Sequence, residues 1–370
     1  MPIYLAVATL VAFVAALLLG AGLSSAPAAE HVVFAAGVMP LVFGAMIYFV
    51  PVLTRGGDAH RAVWLAPPFL QTIGVAVVLY FAGEIGRDTL DIAAAGGAAA
   101  AFAFAGWMMA RARRTVGKPH PGWRWYLAAV LFLALALLAI PATRFWPESR
   151  QALRVLHLHL NTLGFLGFAA FGTLPVLLPT ALNMPDPTAA GRLRRDLPIA
   201  VVAVLTVAFG AVFWRPLALG GAVLAIVPAL KLGLAWQRRY RWRAITAPAA
   251  PLVAALLGYV LLLLGGVAHA QAMVEGRDAP IAFVAIFLLP LLTGALAQLL
   301  PVWRYPGKRV PARDRMHVVL GSHGTGRSLL FLGGGVLWLF GFDNGIWFAV
   351  AGMLSFTLAV FQAFTRHDSG

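Results

Sequence analysis

The sequence predicts an all-α integral membrane protein whose twelve transmembrane helices form three four-helix pseudo-repeats. Hydrophobic residues make up 61% of the 370-residue chain and charged residues only 11%, and the mean hydropathy is +0.86. A soluble domain carries about 25% charged residues. Apolar runs of about 20 residues, each long enough to cross roughly 30 Å of hydrocarbon, recur from end to end. The short alternating segments of a membrane β-barrel are absent, and helices satisfy their own backbone polar groups in lipid.

Twelve apolar segments are predicted to span the bilayer. In chain order they cover residues 2–23, 31–54, 63–83, 90–111, 125–146, 155–182, 197–214, 217–236, 248–270, 280–303, 319–341 and 345–364. The first is followed by small residues that resemble a signal-peptide cleavage site. Because it lacks a basic start, and because its removal would break the repeat, we interpret it as a membrane span.

The charged residues divide between the two sides of this arrangement. The loops that follow even-numbered spans, with the adjoining span ends and the C-terminal tail, hold 22 Lys and Arg against 5 Asp and Glu. The opposite side holds 6 against 8. Cytoplasmic loops carry the excess of basic residues, so both termini are predicted to be cytoplasmic, in the inner membrane of a bacterial cell. The net charge of +15 therefore reflects topology and does not indicate nucleic-acid binding.

A repeated motif divides the chain into three parts. The second, sixth and tenth spans each contain Gly, six residues and then Pro, and a basic loop follows each of them. The pairs are Gly44/Pro51, Gly172/Pro179 and Gly294/Pro301, and the glycines are 128 and 122 residues apart. We interpret the chain as one membrane domain with pseudo-repeats 1–122, 123–246 and 247–370. The glycine is expected to let helices approach closely, and the proline to end or kink its helix.

The residues that could hold a cofactor are histidines. The chain has no cysteine, which excludes disulfides, thiolate metal sites, iron–sulfur clusters and cysteine-attached haem. Of nine histidines, three fall in loops or the tail and are interpreted as solvated: His60, His120 and His367. Four lie at the outer ends of spans, on all three repeats: His31, His157, His159 and His269. Imidazole ligates haem iron or copper through a neutral ring nitrogen, so these four are the candidate ligands. Alternatively, histidines this close to the end of a span face lipid headgroups or cap loops.

The start of the sixth span allows a sharper prediction. On a regular helix one face carries His157, Asn161, Gly164, Phe168 and Gly172. His159 points about 200° away from His157, so the two rings do not chelate one metal. Either histidine is therefore a candidate ligand for a metal. Asn161 either orients His157 or bonds a neighbouring helix.

The eleventh span begins with SHGTGR, residues 322–327, for which two interpretations stay open. Its backbone N–H groups and Arg327 could bind an anion. Alternatively, the segment is a glycine-rich helix entry whose arginine extends to the membrane interface, and this second reading is favoured.

These features together resemble subunit I of the haem–copper oxidase superfamily. The segment HLHLNTLGFLGFAAFGTLPVLLP, residues 157–179, is similar to the H-x-H-L-N-x-x-G segments of small, divergent subunit-I-like relatives, among them the NnrS-type proteins. The resemblance implies a haem near the outer surface, with His31 in the place of the second-helix haem ligand. It also implies that His157 or His159 takes the place of the sixth-helix ligand of the non-haem metal.

The sequence departs from the family on its seventh and tenth spans. The family's histidine pairs are missing from residues 197–213 and 280–301, so a complete binuclear centre is not expected. Whether the protein is an enzyme therefore stays open, and the missing ligands argue against it.

The leading hypothesis is a protein that binds haem b, or a metal such as copper, and acts in electron transfer or in nitric oxide or oxygen handling. If haem binds, its outer position suits electron exchange with a quinol or a periplasmic donor, and the expected assembly is a homo-oligomer or an oxidase-like complex. Two alternatives are a transporter or channel for a small solute or metal, and a non-catalytic structural or assembly subunit. All acidic residues lie in loops or at span ends, which disfavours ion-coupled transport.

Overall fold

A computed structural model describes residues 1–18, 26–273, 279–307 and 310–365, and within these ranges the fold is all-α without strands. Twelve long helices follow one another: α1 Pro2–Leu18, α2 Pro27–Leu53, α3 Arg61–Phe81, α4 Arg87–Arg113, α5 Gly122–Phe145, α6 Pro147–Ala181, α7 Ala189–Phe213, α8 Arg215–Ile245, α9 Ala250–Ala270, α10 Ala279–Arg304, α11 Gly324–Leu339 and α12 Gly345–Thr365. Ten of these helices in the described ranges are long and apolar enough to cross a membrane. By the composition of its helices, this is a multi-pass membrane protein.

The two remaining helices, α1 and α11, are shorter, with 17 and 16 residues. The predicted end of the first span, residues 19–23, lies outside the described residues. The eleventh span was predicted as one helix over 319–341, and this is wrong: a separate helix, Pro311–Gly321, precedes α11. The chain breaks between them because Ser322 is extended and His323 is left-handed, with φ of 57°.

Three helices, α2, α6 and α10, contain a π-helical turn. The turns cover Val32–Val38, Leu160–Leu166 and Val284–Leu288. Their first residues are 128 and 124 residues apart, close to the spacing of the three Gly-x6-Pro motifs. π-Helical turns are rare and are frequently found at functional sites, so the same unusual element recurs in the same three helices as the sequence motif.

The motif residues have the local roles expected from their chemistry. A Cβ atom at Gly172 would lie 2.7 Å from the Tyr126 side chain, and one at Gly294 would lie 2.9 Å from the Leu252 side chain. Each glycine therefore permits close helix packing. Each motif proline lies inside the last turn of its helix, two or three residues before the helix ends: Pro51, Pro179 and Pro301.

The described chain forms two compact units. The first contains Met1–Gly172 and Ala190–Ala218, and the second contains Thr173–Ala189 and Leu219–Gly370. In the first unit, the Phe43 ring of α2 packs against Phe104 of α4 and Phe165 of α6, with ring centroids 4.7 and 6.1 Å apart. In the second unit, α9 packs against the π-helical turn of α10, and α11 packs along α12.

Candidate functional site

Three of the four candidate histidines, His31, His157 and His159, belong to the first unit. His31 is the residue immediately before the π-helical turn of α2, and its side chain is partly buried. Its Nδ1 lies 2.6 Å from the carbonyl oxygen of Pro27, one turn earlier. The His31 ring also stacks on the Phe81 ring of α3, with centroids 4.6 Å apart. This second contact fixes the orientation of the ring plane.

The stacking partner of His31 is brought close by a glycine in α3. Gly74 and Phe81 lie seven residues apart and so share one face of that helix. A Cβ atom at position 74 would collide with the backbone of Ala35 and Ala36 in the π-helical turn. Only glycine allows α3 to pack this closely, which positions Phe81 against the His31 ring.

The His157 side chain of α6 forms a hydrogen bond with the backbone of α5. Its Nδ1 lies 2.8 Å from the carbonyl oxygen of Ala136. Gly164 permits this approach, because a Cβ atom there would lie 2.8 Å from the side chain of Phe132. His157 also interacts electrostatically with His31.

His159 repeats the local geometry of His31. It immediately precedes the π-helical turn of α6, and its Nδ1 lies 2.8 Å from the carbonyl oxygen of Val155, one turn earlier. His31 and His159 each stand 13 residues before the motif glycine of their helix. The segment Arg150–His159 is a regular α-helix, so His157 and His159 do point about 200° apart.

The hydrogen bonds define the tautomer of all three rings. A carbonyl oxygen only accepts, so Nδ1 must carry the proton in His31, His157 and His159. The neutral ring then has its lone pair on Nε2. Histidines that ligate metals generally donate their other ring N–H to a carbonyl or carboxylate in this way, which fixes the ring and raises its basicity.

Asn161 does not hold the His157 ring. Its Nδ2 donates to the main-chain carbonyl of His157 at 2.9 Å, whereas Ala136 binds the ring. The regular-helix argument fails after residue 159, because the π-helical turn begins at Leu160 and changes the direction of the side chains that follow. Asn161 therefore supports the backbone at the start of this turn.

The remaining histidines lie elsewhere. His269 is exposed near the end of α9, in the second unit. His60 is exposed, whereas His120 is partly buried and its Nδ1 accepts a hydrogen bond from the Gly122 N–H at 3.2 Å, so His120 is not simply solvated. His367 lies outside the described residues.

Within the described ranges, no group of three or more His, Cys, Asp or Glu side chains is arranged to hold a metal ion. A protein-bound zinc or copper ion generally needs three or four such ligands. A haem iron needs at most two axial ligands from the protein. A pair of histidines is fewer than a separate metal ion generally needs and equals the number of axial ligands that a haem iron can take.

An ionic cluster around the buried Asp91 joins the start of α4 to the end of α5. Asp91, only 9% exposed, pairs with Arg87 Nε at 3.0 Å and with Arg144 Nε at 3.1 Å. Arg87 Nη2 also donates to Thr143 Oγ1 at 2.6 Å. The sequence contains one signal of this cluster, the four-residue spacing of Arg87 and Asp91, but the partners on α5 are visible only in the fold.

The Arg327 side chain does not lie where the favoured interpretation of residues 322–327 puts it. The side chain does not extend to the membrane interface, because the residue is only 2% exposed. Its guanidinium lies over the Phe356 ring, 5.3 Å from the centroid, and Nη2 donates to the Leu320 carbonyl at 2.7 Å.

Comparisons with known proteins do not assign the chain to a family. No protein-family model matches it, and a search of curated proteins finds no match.

Proposed function

We propose that this protein binds a b-type haem in the membrane, with His31 and His157 as the iron ligands. The observation that carries the proposal is that two rings that interact electrostatically both donate Nδ1–H to a backbone carbonyl, so that each carries its lone pair on Nε2. Haem iron is bound through such a neutral nitrogen. The unusual helical turns that begin beside the histidines on α2 and α6 support a functional role for this region.

Neighbouring residues hold the rings of His31 and His157 in fixed orientations. Pro27 and Ala136 restrict the rotation of the two rings through their carbonyl oxygens. Phe81 covers one face of the His31 ring. A ligand whose ring is held in advance loses little conformational freedom on binding.

A haem held by both histidines would supply one-electron redox chemistry. Because both axial positions of the iron would then be taken, no position would be open for a gas, and of the roles that the resemblance to haem–copper oxidase subunit I implies we propose electron transfer. The histidine pairs missing from residues 197–213 and 280–301 argue against a complete binuclear centre, and copper is therefore not part of this proposal.

The charge distribution supports a place for this site in the cell. Basic loops lie on the side opposite the starts of α2 and α6, so the positive-inside rule supports cytoplasmic termini in a bacterial inner membrane. His31 and His157 would then lie near the outer surface, where a quinol or a periplasmic donor can reach them.

The test is the absorbance of the protein purified in detergent after expression with added haem precursor. We expect a Soret band in the wild type and its loss or shift in His31→Ala and in His157→Ala. His60→Ala, which changes an exposed loop histidine, is the matched control and should leave the band unchanged. Bands that survive both substitutions would contradict the proposed ligands. A colourless wild type that tolerates all these changes would favour a transport or structural role.

A further inference from the structure

A cleft between α11 and α12 in the second unit has one polar end and one apolar end. Its volume is about 630 Å³. The residues that line it include His323, Arg327, Gly333, Leu337, Phe348 and Ser355. On α11, the lining residues Gly326, Leu330, Gly333 and Leu337 follow one another at intervals of four, three and four, so they form a single face of the helix.

Arg327 lies at the polar end of this cleft and is only 2% exposed. Among the described residues, its Nε and Nη1 have no hydrogen-bond partner and no carboxylate pairs with it. The Phe356 ring and the Leu320 carbonyl compensate for only part of the buried charge. A buried charge with unused donors is costly, so this arrangement favours an anionic ligand.

The first turn of α11 adds to the positive potential at this end. His323 precedes the helix and makes no capping hydrogen bond. The hydroxyl groups of Thr325 and Ser328 do not cap this turn, because Thr325 donates to the carbonyl oxygen of Ile245 and Ser328 to that of Gly324. The backbone N–H groups of this turn therefore have no side-chain cap from these residues, and Gly326 in the same turn lines the cleft.

The rest of the cleft is an apolar groove. A Cβ atom at Gly333 would meet nothing within 4 Å, so the groove is open at this position. The distance along α11 from Arg327 to Leu337 is about 15 Å, at 1.5 Å per residue. This is half of the roughly 30 Å hydrocarbon thickness, which is the depth of one leaflet.

We propose that this groove binds one anionic phospholipid. The phosphate lies against Arg327 and the first turn of α11, and an acyl chain follows Gly333, Leu337 and Phe348 into the leaflet. A free inorganic anion would use only the polar end and would leave the apolar groove unexplained. The site lies at the basic end of the protein, where juxtamembrane Lys and Arg attract anionic lipids. It belongs to the second unit, and the proposal does not rest on haem binding.

The test measures lipid retained by delipidated protein in detergent, by native mass spectrometry, with phosphatidylglycerol and phosphatidylcholine as probes. We expect wild type to retain one phosphatidylglycerol, and Arg327→Met to reduce retention about tenfold or more, the effect of a lost charge-assisted hydrogen bond. Arg327→Lys should restore part of it. Gly333→Leu fills the groove without touching the arginine and should also reduce retention.

The matched control for the groove is Gly220→Leu. It places the same side chain at another glycine of the second unit, on α8, where a Cβ also meets nothing within 4 Å. Equal retention of phosphatidylcholine, displacement of lipid by inorganic phosphate, or equal retention by the Gly333 and Gly220 variants would each overturn the proposal. If Arg327→Met does not fold, the Gly333 and Arg327→Lys variants decide the question.

Discussion

At the scale of single residues, the candidate site depends on which ring nitrogen of each histidine carries the proton. Nδ1 of His31, His157 and His159 donates to a carbonyl, so the lone pair of each neutral ring lies on Nε2. The sequence identified these histidines but not their carbonyl partners, because Ala136 is 21 residues from His157 and on another helix. A bond between helices follows from packing and has no local pattern.

His157 and His159 should respond differently to substitution. We expect His157→Ala to remove or shift the haem spectrum, because this ring interacts electrostatically with His31 and is the second proposed ligand. His159→Ala should change it much less, because the His159 ring points about 200° away on a regular helix. The measurement is haem content per protein. The reverse order of effects would show that His159 is the ligand.

Asp91 should matter for stability more than its neighbour Asp88. Asp91→Asn removes the charge that pairs with two arginines. We expect the free energy of unfolding to fall by about 1–3 kcal/mol, which is the cost of leaving a buried group unsatisfied. The half-exposed arginines limit this loss because water can solvate them. Asp88→Asn is the control, since the Asp88 side chain is 78% exposed and surface pairs contribute little. Thermal unfolding in detergent compares them. Equal effects of the two changes would show that burial of Asp91 is not important.

His120 should make stability depend on pH. It lies in the loop before α5, and burial lowers the pKa of its imidazole below the usual 6.5. The folded protein therefore binds fewer protons than the unfolded chain, so this contribution is fully present above pH 6.5 and is lost as the pH falls through the lowered pKa. We expect the unfolding temperature of His120→Asn to fall less between pH 7.5 and pH 5 than that of wild type. Parallel curves would contradict this.

At the scale of elements, most helices were predictable, because apolar runs of membrane length have few other solutions in lipid. The break at Ser322 and His323 was missed, since it depends on how the chain turns before α11. The π-helical turns were also missed, because their composition resembles that of the surrounding helix. Their recurrence follows the Gly-x6-Pro motif, which was visible in the sequence.

The π-helical turn of α6 should be needed to orient His157. Deletion of Thr162 from Leu160–Leu166 removes the extra residue of the wide turn. We expect α6 to become regular and His157 to rotate by about 100° relative to the rest of the helix. Helix content by circular dichroism should stay unchanged while haem binding is lost. Deletion of Gly57, which is exposed in a loop, is the control; unchanged haem binding without Thr162 would contradict a role for the turn.

At the scale of the whole molecule, the absence of cysteine makes the topology directly testable. Arg114→Cys lies in a basic loop, and Glu148→Cys lies on the opposite side. In intact cells, we expect a membrane-impermeant maleimide to label the second variant and not the first, because basic loops stay in the cytoplasm. Labelling of the first variant alone would invert the proposed orientation and would place His31 and His157 near the cytoplasmic surface.

The absorbance spectrum of the purified protein shows whether His31 and His157 hold a haem. We predict a Soret band in the wild type that is lost or shifted by His31→Ala and by His157→Ala, and is unchanged by His60→Ala. A wild-type protein without a Soret band, even after expression with added haem precursor, would contradict it.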